Sequence, residues 1–119
     1  MNRDEMTTRT KQFALRIMNL AGALPRGRIA DHLGRQLIRS GTSVGANYRE
    51  AIRSSSRRQY LSKLEIAERE ADETTYWLEL IEEGNIMPSS KLAGLYDEAQ
   101  QLVAILTASA KTTRRNNAE

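Results

Sequence analysis

The chain has 119 residues, no cysteine, one histidine and a formal net charge of +3 at pH 7. The length suits a single domain over residues 1–119, and the lack of cysteine excludes disulfides, thiolate metal sites and a cysteine nucleophile. The sequence has no apolar run of about 18 residues that could span a membrane, and the N-terminal residues lack the apolar core of a secretory signal. We therefore expect a cytoplasmic protein with no membrane contact.

The first two predicted helices are defined by apolar residues that recur every three or four positions. The first helix is predicted over residues 7–24, and the Pro-Arg-Gly sequence at 25–27 ends it. The second is predicted over residues 29–54. The stripe that we expect to face the core in the second helix contains Leu33, Leu37, Gly41, Val44, Tyr48 and Ile52.

The third helix is predicted over residues 57–83, after a capping box formed by Ser56 and Gln59. A left-handed stop at residues 84–85 ends it. The fourth is predicted over residues 90–111, and the polar tail at 112–119 is expected to fray. Four such helices joined by short loops predict an all-α, up-down-up-down antiparallel four-helix bundle.

Two glycines interrupt the second helix, and each costs about 1 kcal/mol relative to alanine in a helix interior. Gly41 and Gly45 are four residues apart and so lie on one face. We interpret them as a place where another helix backbone approaches closely. A functional cleft or hinge at this point is the alternative.

The outward face of the second helix is basic. Four of its arginines fall within a sector of roughly 80°, and Arg28 joins that sector if the helix extends back that far. These arginines are Arg28, Arg35, Arg39, Arg49 and Arg53. Guanidinium groups bind phosphate oxygens in a bidentate way, so the face is a candidate site for RNA or DNA. The third helix, however, carries a net charge of −6 over residues 59–83. The arginines could instead pair with it or be solvated.

The third helix also has a second apolar group nearly opposite its core-facing stripe. Ile66, Trp77 and Leu80 fall within a sector of about 60°. A bundle needs one buried stripe per helix, so a clustered Trp, Ile and Leu indicates contact with another chain. The alternatives are a helix flanked on both sides within one chain, or simply exposed residues.

Catalytic and metal-binding patterns are poor in the sequence. The Glu-rich third helix could host a carboxylate metal site, but a solvated acidic face is the commoner explanation. His32 is the only histidine, and Ile29 rather than a glutamate lies three positions before it, so a carboxylate-bridged di-iron site is excluded. The segment from Gly41 to Gly45 lies within a helical period and lacks the following lysine of a phosphate-binding loop. We expect no cofactor, no metal and no enzymatic activity.

Two segments carry a resemblance to a known family: RSGTSVGANYREA at 39–51 and LSKLEIAEREADETTYWLELIEEGNI at 61–86. Over residues 13–106 the chain resembles the bacterial four-helix-bundle family of 23S rRNA intervening-sequence proteins. The resemblance implies a small bundle that assembles as a cyclic homopentamer and has no established enzymatic reaction. A branch related to the family that this chain resembles, the accessory variability proteins of diversity-generating retroelements, works with a reverse transcriptase and binds nucleic acid through a basic surface.

Together these observations predict a non-enzymatic, oligomeric binding module that binds RNA, DNA or a nucleoprotein complex through the basic face of its second helix. The partners implied by the resemblance are further copies of the chain, a nucleic acid, and a reverse transcriptase or other nucleic-acid enzyme. The alternative is a protein–protein adaptor or scaffold that binds no nucleic acid. In that case the arginines only pair with the acidic third helix.

Overall fold

In a computed structural model of the chain, the backbone is described for residues 1–118 and the side chains for residues 1–116. Four helices account for most of the chain, and no strand occurs in this range. Their bounds are α1 Arg3–Gly22, α2 Arg28–Ile52, α3 Arg57–Glu83 and α4 Ser89–Ala118. The predicted all-α class is confirmed.

Capping residues set the ends of the helices, and they explain why an observed helix end can differ from the predicted one. Helix α1 begins four residues before the predicted position because the Asn2 side chain accepts a hydrogen bond from the Glu5 amide at 2.8 Å. Helix α3 has the predicted bounds, and the hydroxyl of Ser56 accepts a hydrogen bond from the Gln59 amide at 3.1 Å. In a capping box the Gln59 side chain would accept a hydrogen bond from the amide of Ser56, but here it accepts one from the amide of Ser55, one residue earlier.

Helix α4 continues to Ala118, past the end predicted at residue 111. The extension carries one side chain, that of Arg114, that binds the neighbouring helix. The guanidinium of Arg114 contacts the carboxylate of Glu65 in α3 at 2.9 Å, and Ala110 is fully buried one turn earlier. The polar tail is therefore helical as far as it is described, and Glu119 lies outside the described residues.

Cross-helix contacts establish the antiparallel order. Between α2 and α3, Ser40 lies beside Thr74, and Glu50 lies 3.5 Å from Lys63, so rising numbers on one helix meet falling numbers on the other. Helices α1–α2, α2–α3 and α3–α4 pack along much of their lengths, whereas α1 and α4 contact each other sparsely. The result is the predicted up-down-up-down bundle, a rod of 51 × 21 × 19 Å.

The two glycines of α2 lie where α1 approaches most closely. A Cβ atom at Gly41 would lie 2.7 Å from Cγ2 of Ile17, and one at Gly45 would lie 3.3 Å from the carbonyl oxygen of Thr10. Optimal carbon–carbon contact is about 3.5–4.0 Å, so a side chain at Gly41 cannot be accommodated without movement. The glycines are packing residues, and the interpretation as a tight helix contact is confirmed.

The core is built mainly from leucine, isoleucine and alanine, with Phe13 as the one fully buried aromatic ring. A pair of buried hydroxyls, Ser40 on α2 and Thr74 on α3, crosses the core with an oxygen–oxygen distance of 2.9 Å. None of the helices in the described chain is both long and apolar enough to cross a membrane.

Candidate nucleic-acid interface

All five arginines of the predicted basic face are exposed. Four lie within α2, and Arg53 is the residue that follows its last turn. From Arg28 to Arg53 the face is 25 residues long, which is about 37 Å at 1.5 Å per residue. The face therefore runs along most of one side of the bundle.

Arg39, at the middle of this face, is occupied by acidic side chains of α3. Its guanidinium contacts the carboxylate of Glu70 at 3.0 Å and also that of Glu73. The indole N–H of Trp77 donates to the same Glu73 carboxylate at 3.0 Å. This network ties α2 to α3, and its two carboxylates offset the positive charge that Arg39 would present to a phosphate. For Arg39, the structure therefore favours the alternative, in which the arginine pairs with the acidic third helix.

Three other acidic residues of α3 contact α4 instead. Glu65 contacts Arg114 at 2.9 Å, Glu68 accepts a hydrogen bond from Thr107 at 2.8 Å, and Glu79 accepts one from Tyr96 at 3.0 Å.

The remaining four arginines of the face have no carboxylate within 4.0 Å of their guanidinium nitrogens in the part of the chain whose side chains are described. They are Arg28, Arg35, Arg49 and Arg53. The acidic third helix therefore does not neutralise the face as a whole.

Arg49 and Arg53 lie on a ridge of α2 between two grooves. The groove towards α3 has a volume of about 480 Å³ and contains Glu50, which contacts Lys63 at 3.5 Å. The groove towards α1 has a volume of about 340 Å³ and adds a third cation, Lys11. Reasoning from the sequence missed Lys11, because nothing in the periodicity of α1 associates this residue with the arginines of another helix.

The opposite end of the face has a weaker positive charge. Asp31 lies three residues after Arg28 and four before Arg35, so its carboxylate shares the same side of the first two turns of α2. An acidic side chain in the first turn also interacts favourably with the positive end of the helix dipole. The two ends of the arginine face are thus electrostatically unequal.

The residues of the predicted oligomer interface share one side of α3, and Leu80 also lines a groove with Leu33 of α2. Ile66, Trp77 and Leu80 are each half-buried, and the latter two pack against the core at its edge. The ring of Trp77 also meets the ring of Tyr76 edge-on, with 5.2 Å between centroids, and Tyr76 itself is 53% exposed. The group is therefore partly covered by its own chain, and the aromatic ring beside it is exposed.

Metal-binding and acid–base groups are dispersed. His32 is exposed, and across residues 1–116 no group of three histidine, aspartate or glutamate side chains is arranged to hold a metal ion.

The comparisons with known proteins agree with this fold. A family model described as "23S rRNA-intervening sequence protein" matches residues 3–108. A crystal structure from Bacteroides thetaiotaomicron, described as a protein of unknown function from the S23 ribosomal protein family, is similar with a TM-score of 0.87 and 33% identity. The match covers 93% of this chain and 99% of the other. No curated protein matches. The extent of the family match and the shared four-helix architecture show that the chain belongs to the 23S rRNA-intervening sequence protein family.

Proposed function

We propose that the protein is a non-enzymatic, oligomeric binding module for RNA or DNA. The observation that carries the proposal is a row of four exposed arginines on one side of α2, with no carboxylate partner among the described side chains. Arg28, Arg35, Arg49 and Arg53 are the proposed phosphate ligands. Arg39, the fifth residue of the predicted set, is given a structural role instead because Glu70 and Glu73 hold it.

The strength of such binding depends on salt in a calculable way. Each neutralised phosphate contributes a slope of about −0.9 to the dependence of log K on log salt concentration for a duplex. Four contacts give a slope of about −3.6, so affinity should fall roughly 150-fold between 50 and 200 mM salt. A shallow slope would mean that few of the four arginines reach phosphates.

Fluorescence anisotropy with labelled RNA and DNA at these two salt concentrations tests the proposal. The variant Arg35→Gln with Arg49→Gln should bind more weakly and show a slope reduced by about 1.8. The matched control is Lys91→Gln with Lys111→Gln, which removes the same charge from two exposed positions of α4. Equal losses in the two variants, or no binding by the wild type at the lower salt concentration, would refute the proposed face.

Self-association is the second part of the proposal. The half-buried Ile66, Trp77 and Leu80, with the exposed ring of Tyr76 beside them, support contact with another copy of the chain. A cyclic homopentamer, implied by the family resemblance, would present five arginine faces, and avidity would multiply weak individual contacts. A reverse transcriptase or other nucleic-acid enzyme is a proposed further partner on the same resemblance.

Sedimentation velocity of the wild type and of Trp77→Glu tests the self-association. We expect an oligomer for the wild type and smaller species for the variant. Ile66→Glu provides a second variant, because Ile66 does not pack against the buried core as Trp77 does. A monomeric wild type would rule the interface out, and so would variants that fold by circular dichroism yet keep the wild-type mass.

The adaptor alternative has one specific observation in its favour, which is the engagement of Arg39 by Glu70 and Glu73. If the other arginines serve only solubility, an oligomer that binds no nucleic acid at low salt is the expected result. The two experiments above distinguish this outcome from the proposed function.

A further inference from the structure

We propose that phosphate binding is centred on the groove between α1 and α2, where Lys11 joins Arg49 and Arg53, and that the ligand is the backbone of a nucleic-acid duplex. This inference rests on the proposed function and deepens it. It adds a residue from a second helix, ranks the arginines and assigns a class of nucleic acid.

Small residues of both helices form part of the groove lining. Ala14 of α1 and Gly45 and Ala46 of α2 line a volume of about 340 Å³. The close approach at Gly45, where a Cβ atom would lie 3.3 Å from the carbonyl oxygen of Thr10, brings the two helices together beneath it. Apart from the three cations, the lining consists of alanine, glycine, threonine and Ile52, so a phosphate group can approach between the cationic side chains.

The charge of this groove is the least compensated on the face. Its lining includes Lys11, Arg49 and Arg53 and no carboxylate. The groove on the α3 side of the same arginines contains Glu50, and the distant end of α2 contains Asp31. Three cations that converge from two helices therefore make this groove the position of highest affinity for an anion on the α2 face.

The aromatic residues favour a duplex over a single strand. Binding of single strands uses exposed rings on which bases stack. Tyr48 is only 4% exposed, and Tyr60 is half-buried with the guanidinium of Arg3 positioned 4.9 Å from its ring centroid. The exposed Tyr76 belongs to α3. The groove thus offers cations for phosphates and no ring on which a base could stack, which suits a duplex bound without sequence preference.

The length of the face is also compatible with a rigid ligand. The separation of about 37 Å between Arg28 and Arg53 corresponds to roughly 11 base pairs at 3.4 Å each. One duplex lying along α2 could therefore contact the groove at one end and Arg28 at the other. Duplexes much shorter than this would lose the distant contacts and retain those of the groove.

The test compares a labelled duplex of about 24 base pairs with its single strand, using Lys11→Gln and Ala46→Trp. Lys11→Gln should weaken duplex binding to the same extent for any sequence and lower the salt slope by about 0.9. Ala46→Trp should weaken binding by filling the groove while leaving the charge unchanged. The matched controls are Lys91→Gln and Ala93→Trp, both at exposed positions of α4 and both expected to bind as the wild type.

The outcomes separate this inference from the function on which it rests. If the wild type binds and Arg35→Gln with Arg49→Gln is impaired, but Lys11→Gln and Ala46→Trp bind normally, the groove is refuted and the basic face stands. Single-strand binding as tight as duplex binding would refute the assignment of a duplex. If the wild type binds neither nucleic acid at low salt, the proposed function itself fails.

Discussion

The close contact between α1 and α2 makes a quantitative prediction about Gly41. In Gly41→Ala the new Cβ atom would lie 2.7 and 2.8 Å from the two γ-carbons of Ile17, whose side chain is fully buried. Replacing a glycine by alanine inside a helix is worth about 1 kcal/mol in propensity, whereas overpacking a core costs about 1–3 kcal/mol. We expect a net loss of up to about 2 kcal/mol in the free energy of unfolding.

Gly94→Ala is the matched control, because Gly94 is exposed in α4 and the nearest atom to its Cβ would be the mobile end of Arg16, at 3.3 Å. This variant should gain up to about 1 kcal/mol. The propensity gain is common to both substitutions, so the difference between the two variants isolates the clash with Ile17. That difference should be about 1–3 kcal/mol.

Urea unfolding followed by circular dichroism measures both variants, at one protomer concentration because self-association would shift the apparent stability. In an Ile17→Ala background, which removes both γ-carbons and leaves only the Cβ atom at 3.1 Å, Gly41→Ala should destabilise less than in the wild type. If Gly41→Ala is as stable as Gly94→Ala in the wild-type background, the helices are not held as closely as the structure describes, and the reasoning is wrong.

Three further predictions concern single contacts. Ser56→Ala removes the acceptor of the Gln59 amide and should cost about 0.5–2 kcal/mol in urea unfolding, whereas Ser56→Asn should retain most of the stability. Burial raises the pKa of the Tyr48 hydroxyl above its ordinary 10.0, so the folded chain holds this proton more tightly than the unfolded chain. The stability that comes from this raised pKa is complete below about pH 10 and is lost as the pH rises through the folded-state pKa. Tyr48→Phe has no hydroxyl to titrate, so its free energy of unfolding should fall less than that of the wild type between about pH 9 and pH 11. Glu98→Gln breaks a two-pronged contact with Arg9, in which both nitrogen–oxygen distances are 2.7 Å, and should cost about 1–2 kcal/mol in urea unfolding. A loss no larger than that of Glu83→Gln, the same substitution at an exposed position of α3, would contradict this expectation.

Much of the fold could be predicted because helix signals are local. The periodicity of apolar residues and the cap at Ser56 predict α3 with the bounds that the structure has. The early start of α1 also has a local signal, the pairing of Asn2 with Glu5, which the apolar pattern alone does not include. The extension of α4 has no such signal, since it depends on the contact of Arg114 with Glu65 of another helix.

The candidate site likewise has features that the sequence predicts and features that depend on contacts between helices. The sequence by itself determined which arginines share the outward side of α2, because residues three, four and seven apart fall on one face of any helix. It also determined that Gly41 and Gly45 face a neighbour, since their cost in a helix requires a packing reason.

Only the tertiary structure decided which of those arginines has partners. Arg39 is held by Glu70 and Glu73, while Lys11 is brought beside Arg49 from a distance of 38 residues along the chain. The physical reason is that helical periodicity specifies only the angle at which a side chain leaves its own helix. It does not specify which residues of two neighbouring helices lie at the same height along the bundle. That register is set by packing, at contacts such as Gly41 against Ile17.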